Sequence, residues 1–217
     1  AGDLMVASTS IEGVGKAYGT PRYGVVEAET GRRIVDVDDA HAVGAAFSPD
    51  GAHVVVSVGE PLRAVGAAVP LVIVYDATTG AELSRLELGF YTYLAVEISA
   101  DGELLAVGGQ NNELVVLDFE TLLDDPASSV IGITTVPQEG GVIAAAFTED
   151  GSTVVASTWD KSGPILAFSV AEGLPGLWTF LVGEYVVDIE IYDNSVWLPD
   201  FGVDGFALNG IPLDRET

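Results

Sequence analysis

The chain has 217 residues, of which 48% are hydrophobic, and its 33 acidic and 8 basic side chains give a formal net charge of −25. This charge repels nucleic-acid phosphates and anionic lipid head groups, so neither is a favoured partner. The absence of cysteine excludes disulfides, thiolate metal sites and cysteine nucleophiles. The apolar runs are too short to predict a transmembrane helix, which needs about 18 consecutive apolar residues.

The predicted strands fall into five groups along the chain. The first group lacks an initial strand and has strands at residues 4–8, 24–28 and 32–37, whereas the second has 45–47, 54–58, 71–76 and 82–88. The third group includes 96–98, 104–108 and 114–119, and the fourth has 145–147, 154–158, 165–170 and 177–182. The last group has 190–192, 196–198 and 205–208. This organisation predicts three, four, four, four and three strands.

A short motif recurs at the first hairpin of three groups. Ala-Ala-Phe-Ser-Pro-Asp-Gly ends at Gly51, and related segments end at Gly102 and Gly151; Asp193-Asn194 is the weakest copy. Asp-Gly between two apolar runs predicts a tight hairpin, because both residues tolerate a positive φ. A period of 40 to 50 residues is typical of blades or arrays.

The repeat predicts an all-β fold, a β-propeller of four-stranded antiparallel blades. We predict one domain over residues 1–217, with blades near residues 1–40, 41–89, 90–137, 138–183 and 184–217. The first and last groups are incomplete, and residues 211–217 contain Pro212 and little apolar sequence. We therefore expect part of a larger propeller of about six to eight blades, or one completed by another chain. A closed five-bladed ring is the alternative.

The acidic surface suggests adaptation to salt. Lysine occurs at Lys16 and Lys161 alone, and the acids are spread along the chain. Such hydrated surfaces keep a protein soluble where salt screens the repulsion between charges. An ordinary acidic secreted or bacterial protein is the alternative. The compartment is left open, and an extracellular or cell-surface location is favoured over the cytoplasm.

Residues 45–87 carry a family resemblance. Ala-Ala-Phe-Ser-Pro-Asp-Gly, Val-Val-Val-Ser and Val-Ile-Val-Tyr-Asp-Ala-Thr-Thr-Gly resemble the WD-repeat and related bacterial seven-bladed propeller families. The resemblance implies a ring of blades that serves as a binding scaffold, usually without catalysis. The Trp-Asp pair of the family is replaced by Tyr75-Asp76 and Leu117-Asp118, and the buried Asp-His-Ser-Trp network of eukaryotic members is not assembled in any copy.

Several acidic or aromatic groups are candidate ligands, each with a structural alternative. Asp50, Asp101 and Asp150 could form a ring of carboxylates, but their place in a hairpin already explains them. Oxygen ligands for calcium could come from Asp124-Asp125-Pro126 or from residues 200–205, and an acid–base or metal cluster from Asp36, Asp38, Asp39 and His41. A sugar-binding face could use the rings of Trp159, Trp178 and Trp197, although propeller cores use such rings too.

These observations favour a non-catalytic propeller for protein interaction or assembly. The sequence assigns no catalytic and no cofactor-binding residue, and it leaves the question of a metal open. Residues 60–70 and 10–22 lengthen two connections and are the favoured interaction surface, because binding residues often lie on loops held by a rigid scaffold. The alternative is a propeller enzyme or a calcium-dependent carbohydrate-binding module that uses carboxylates near the central channel.

Overall fold

A computed structural model describes residues 4–9, 22–38, 41–59, 71–88, 93–137, 140–171, 173–181, 186, 188–193, 195–199 and 208–212. The first strands are β1 (Leu4–Thr9), β2 (Arg22–Glu27), β3 (Arg33–Asp38), β4 (His41–Phe47), β5 (His53–Gly59), β6 (Leu71–Asp76) and β7 (Glu82–Glu87). They are followed by β8 (Tyr93–Ile98), β9 (Leu104–Gly109), β10 (Glu113–Asp118), helix α1 (Phe119–Asp124), a 3-10 turn (Pro126–Ser128) and β11 (Val130–Thr135). The remaining strands are β12 (Val142–Phe147), β13 (Thr153–Thr158), β14 (Pro164–Ser169), β15 (Gly176–Leu181), β16 (Glu190–Tyr192), β17 (Ser195–Pro199) and β18 (Leu208–Pro212).

The described strands form five antiparallel sheets, each built from consecutive strands. Sheet 1 contains β1–β3, sheet 2 contains β4–β7, sheet 3 contains β8–β11, sheet 4 contains β12–β15 and sheet 5 contains β16–β18. Within the described ranges the strand counts are three, four, four, four and three, in agreement with the prediction. The all-β class and the four-stranded antiparallel sheets are therefore confirmed.

The chain divides into two compact units, Ala1–Tyr93 and Leu94–Thr217. In the first unit, sheets 1 and 2 share a core that includes Val25, Val56 and Ile73. In the second unit, one core joins sheets 3 and 4 and another joins sheets 4 and 5. The middle strands are almost wholly buried, as in β6, while β7 alternates between exposed charged residues and buried Ser84 and Leu86.

The outer strands of sheets 1 to 4 share a β-bulge. Each of these strands contains one extra residue that is not paired with a residue of the adjacent strand. The four extra residues are Ile34, Leu83, Ile131 and Leu177. A bulge increases the local twist of an edge and interrupts its ladder of hydrogen bonds. The recurrence of this bulge at one place in four sheets shows that the sheets are structural copies of one another.

Two local elements differ from the prediction. The third strand of sheet 3 ends at Asp118, whose side chain accepts a hydrogen bond from the Thr121 N–H at 2.7 Å and caps the unpredicted helix α1. The last described strand is β18, which pairs with β17 and includes Pro212. The prediction that the last strand ends at residue 208 is therefore wrong, because the strand extends through residues 211 and 212. Proline is tolerated at the edge of a sheet, where its missing N–H leaves no ladder bond unmade. The described helices include none that is long and apolar enough to cross a membrane.

Candidate functional site

The three predicted Asp-Gly hairpins share one hydrogen-bond network. The hydroxyl of Ser48, Ser99 or Thr148 donates to the aspartate two residues later at 2.5, 2.5 and 2.7 Å. The same hydroxyl accepts the backbone N–H of the fifth following residue at 2.9, 2.9 and 3.0 Å. Each aspartate also accepts a backbone N–H two residues further on, at 2.9, 3.0 and 3.1 Å.

These contacts assign the repeated aspartates a structural role. The hydrogen bond from the hydroxyl is the main cause that holds the pKa of Asp50 and Asp101 below the usual range, and the hydrogen bond from the backbone N–H is the second. In Asp150 the hydroxyls of Thr148 and Ser152 have the same effect. A carboxylate that accepts several hydrogen bonds within its own turn stabilises that turn. The structure therefore uses all three carboxylates to close hairpins.

The second unit contains a groove of about 1080 Å³. It lies at the ends of β8 and β12 and is completed by β15 and β16, so that sheets 3, 4 and 5 all contribute to its lining. Five lining residues are carboxylates and three are aromatic, whereas the described lining includes no lysine or arginine: Glu97, Glu149, Asp150, Glu190 and Asp193, with Phe147, Trp178 and Tyr192. The groove is therefore acidic, with aromatic side chains in its lining.

Alternation along β12 positions the centre of this groove. Ala144 and Ala146 pack towards sheet 5, whereas Ala145 and Phe147 pack towards sheet 3. Alanine at residue 146 adds little volume beside the groove. Trp178 packs in part against the core of sheets 4 and 5, so its ring is held by its neighbours.

Four of the five carboxylates of the groove were not predicted as site residues, and Glu97 is the partly buried one among them. It takes the place that Ala46 and Ala146 hold in the other two repeats, and in β8 it lies two residues after Ala95, which belongs to the core between sheets 3 and 4. Residues two apart in a strand share a face. Burial, together with the negative charge of Asp188, raises the pKa of Glu97 to about 7. Its signal in the sequence was an acid at a repeat position otherwise filled by alanine.

The predicted acid cluster after the first sheet is only partly described. Asp36 is exposed on β3 and forms an ion pair of 2.9 Å with Arg33. Asp38 and His41 lie in β3 and β4, and Asp39 is outside the described residues. Across the described part of the chain, no three histidine or acidic side chains come together in a group that could hold a metal ion.

The structure describes one of the two segments that were predicted as possible calcium ligands. Asp124 ends α1, and Asp125 accepts a hydrogen bond from the Ser128 hydroxyl at 2.8 Å. The carboxylate of Asp125 thus stabilises the turn that follows the helix. Residues 200–205 lie outside the described residues. The predicted interaction loop at 60–70 also lies outside them, and so does the predicted loop at 10–22 except for residue 22, which begins β2.

The three tryptophans do not form one face of the groove. Trp178 lines it, whereas the Trp197 ring N–H donates to the carbonyl of Tyr192 at 3.1 Å. Trp159 is 54% exposed and is not part of the lining. One of the three predicted rings is therefore available at the groove.

The chain was also compared with known proteins. No protein-family model matches it, and no curated protein shows significant similarity to it.

Proposed function

We propose that this chain is a non-catalytic β-propeller module for protein interaction or assembly, and that the groove of the second unit is its recognition site. The observation that carries the proposal is the groove itself, which is concave, is lined by apolar, aromatic and carboxylate side chains, and draws on three sheets. Clefts of this size with a few polar groups are the usual sites of ligand recognition.

The propeller part of the proposal is supported by the way neighbouring sheets contact each other within each unit. A Cβ added to Gly80, in the last turn of sheet 2, would come within 2.0 Å of the Ile34 carbonyl oxygen on the outer strand of sheet 1. In the second unit, a Cβ on Gly132 of sheet 3 would meet Leu174, in the last turn of sheet 4, at 3.1 Å. The same turn of one sheet thus lies on the outer strand of the sheet before it, as expected for blades stacked around an axis.

A non-catalytic role is supported by the roles of the described acids. The repeated aspartates take part in the hydrogen bonds of their hairpins, and the two histidines lie in strands β4 and β5 of sheet 2. Nucleophilic or acid–base catalysis needs a nucleophile, a base and an orienting group within hydrogen-bond reach of one another. Binding requires only the shape and charge that the groove offers.

The absence of cysteine allows a direct test. Ser152 lines the groove and is exposed, so Ser152→Cys labelled with a bulky maleimide should block it. Ser128→Cys, exposed in the 3-10 turn of the same unit and outside the lining, is the matched control. Peptides selected on the unlabelled chain from a random phage-displayed library should lose binding to the first conjugate and keep it with the second.

Two results would contradict the proposed function. One is a selection that yields no peptide with saturable binding, measured by calorimetry. The other is a set of selected peptides that binds both conjugates equally, because the recognition site would then lie elsewhere on the chain.

A carbohydrate ligand is the second candidate, and the position of Trp178 favours it. The half-buried ring of Trp178 lines the same groove as five carboxylates, so the groove offers an apolar face and hydrogen-bond acceptors to a sugar. A glycan array probed with and without calcium tests this candidate, and saturable glycan binding that Trp178→Ala abolishes would favour it over a peptide partner.

A further inference from the structure

We infer that the groove binds an extended peptide segment through a lysine or arginine side chain, and that Glu97 is the carboxylate that pairs with this cation. The inference rests on the proposed function and adds the chemistry of the partner. It is drawn from the charge of the lining, from the position of Glu97 within it and from the apolar surface beside it.

Charge complementarity selects the occupant. The lining combines five carboxylates with no described basic residue, on a chain whose net charge is −25. An anionic segment would be repelled on approach, whereas a basic one would be attracted and guided towards the groove. Since electrostatic complementarity contributes more to partner choice than to raw affinity, the lining distinguishes basic from acidic partners.

Glu97 differs from the other four carboxylates of the groove. Glu149, Asp150, Glu190 and Asp193 are exposed, whereas Glu97 is partly buried in β8. Asp150 is also committed to its hairpin. A charge-assisted hydrogen bond to a carboxylate shielded from water is stronger than one to an exposed carboxylate. Glu97 is therefore the position at which a cation gains most from pairing.

The surroundings of Glu97 suit the stem of a basic side chain. Ile98, Phe147, Ile189 and Trp178 line the same groove. Lysine and arginine lay their methylene stems along apolar surface while the charged head reaches a polar partner. An aromatic ring near the path adds a cation–π contribution. The groove thus offers apolar surface to the methylene stem of a basic side chain and a carboxylate to its charged head.

Binding of a cation at this position should depend on pH. Among the described residues, the titratable groups that line the groove with Glu97, or act on it, are acidic or phenolic: Asp188 before β16, Glu149 and Asp150 after β12, and Glu190, Tyr192 and Asp193 in and after β16. Burial and the charge of Asp188 bring the pKa of Glu97 to about 7. The ionised form binds a cation, so affinity should rise from about pH 6 to about pH 8, and the cation should lower the pKa of Glu97 in return.

Four model peptides test this inference. Each is an acetylated, amidated heptapeptide with two leucines around a central arginine, lysine, glutamine or glutamate, titrated into the chain by NMR. We expect the arginine and lysine peptides to shift groove resonances, with affinity at least about tenfold above that of the glutamine peptide. We also expect the arginine peptide to lower the titration midpoint of the Glu97 carboxyl carbon.

Two variants separate Glu97 from the general acidity of the groove. Glu97→Gln should lower the affinity for the arginine peptide by about tenfold at about pH 8 and should abolish the rise of this affinity with pH. Glu149→Gln removes an exposed carboxylate from the same groove and should keep that rise, with a loss of less than about threefold. Should Glu97→Gln fail to fold, Glu97→Ala, which reproduces the residue of the other repeats, replaces it.

The outcomes distinguish this inference from the proposed function. Equal affinity for the arginine and glutamine peptides, or an unchanged pH profile in Glu97→Gln, would overturn the inference. If uncharged peptides from the library are blocked at Ser152 while the basic model peptides do not bind, the recognition site stands and the choice of partner is wrong. If neither class is blocked at Ser152, the proposed function itself fails.

Discussion

The hydroxyl oxygens of Tyr23 and Tyr75 lie 2.6 Å apart and join β2 of sheet 1 to β6 of sheet 2. The two residues are 1% and 4% exposed, so water cannot replace this hydrogen bond. Burial raises the pKa of both phenols above the usual range. The link connects two sheets through residues 52 positions apart.

We predict that Tyr75→Phe will lower the free energy of unfolding by about 1–3 kcal/mol, because it leaves the buried Tyr23 hydroxyl without this partner. The double variant Tyr23→Phe/Tyr75→Phe should cost less than the sum of the two single changes. Urea unfolding of all four proteins gives the coupling energy. Additive costs would mean that the two hydroxyls do not stabilise each other.

We predict that Glu97→Ala will stabilise the chain at neutral and alkaline pH. The folded-state pKa of about 7 exceeds the ordinary value of 4.5, so the folded state holds the proton more tightly. For an acid of this kind, stability is lost as pH rises from the unfolded to the folded pKa. The variant should gain about 1–3 kcal/mol over the wild type at about pH 8, and this advantage should vanish near about pH 4.

Denaturant unfolding across this pH range measures the effect of Glu97. Glu149→Ala, at an exposed position of the same groove, is the control and should leave the slope of stability against pH unchanged. If the stability of Glu97→Ala changes with pH as steeply as that of the wild type, ionisation of Glu97 does not destabilise the folded state. A gain in stability at the expense of peptide binding is the usual trade-off at a functional position.

We predict that Gly108→Ala will destabilise the second unit. An added Cβ would lie 2.4 Å from Val142 Cγ1 and 3.1 Å from the Ala95 Cβ, so sheets 3 and 4 would have to separate locally. Overpacking of this kind costs about 1–3 kcal/mol. The double variant Gly108→Ala/Val142→Ala should recover part of the loss in thermal unfolding. No recovery would show that the strain lies elsewhere.

We predict that salt will raise the melting temperature. The net charge of −25 creates repulsion among exposed carboxylates, and molar salt shortens the screening length to about 3 Å. The melting temperature in molar KCl should therefore exceed that in dilute buffer. A reference protein of near-zero net charge, melted in the same two solutions, gives the part of the change that does not depend on charge. An unchanged melting temperature in KCl would argue against adaptation of this surface to salt.

The strand order and the roles of the repeated aspartates could be predicted because their causes are local. Asp101 contacts Ser99 and the N–H of Glu103, each two residues away, so a window of a few residues contains the whole network. Helix α1 could not be predicted in this way, because its capping pattern also occurs in a turn. Asp76 accepts the N–H of Thr79 in a turn, and Asp118 accepts the N–H of Thr121 at the start of a helix. The same pattern, an aspartate three residues before a threonine, serves both structures.

Tertiary structure alone decided the groove and the position of Glu97 within it. Residues of β8, β12, β15 and β16 meet there from positions far apart along the chain, and the pKa of Glu97 follows from burial and from Asp188, neither of which is encoded near residue 97. The sequence by itself determined which segments pair as hairpins and which residues close them, because those hydrogen bonds span a few residues. The side chains that are buried together between two sheets come from positions far apart along the chain. Their contacts are therefore determined by tertiary packing and not by the local sequence.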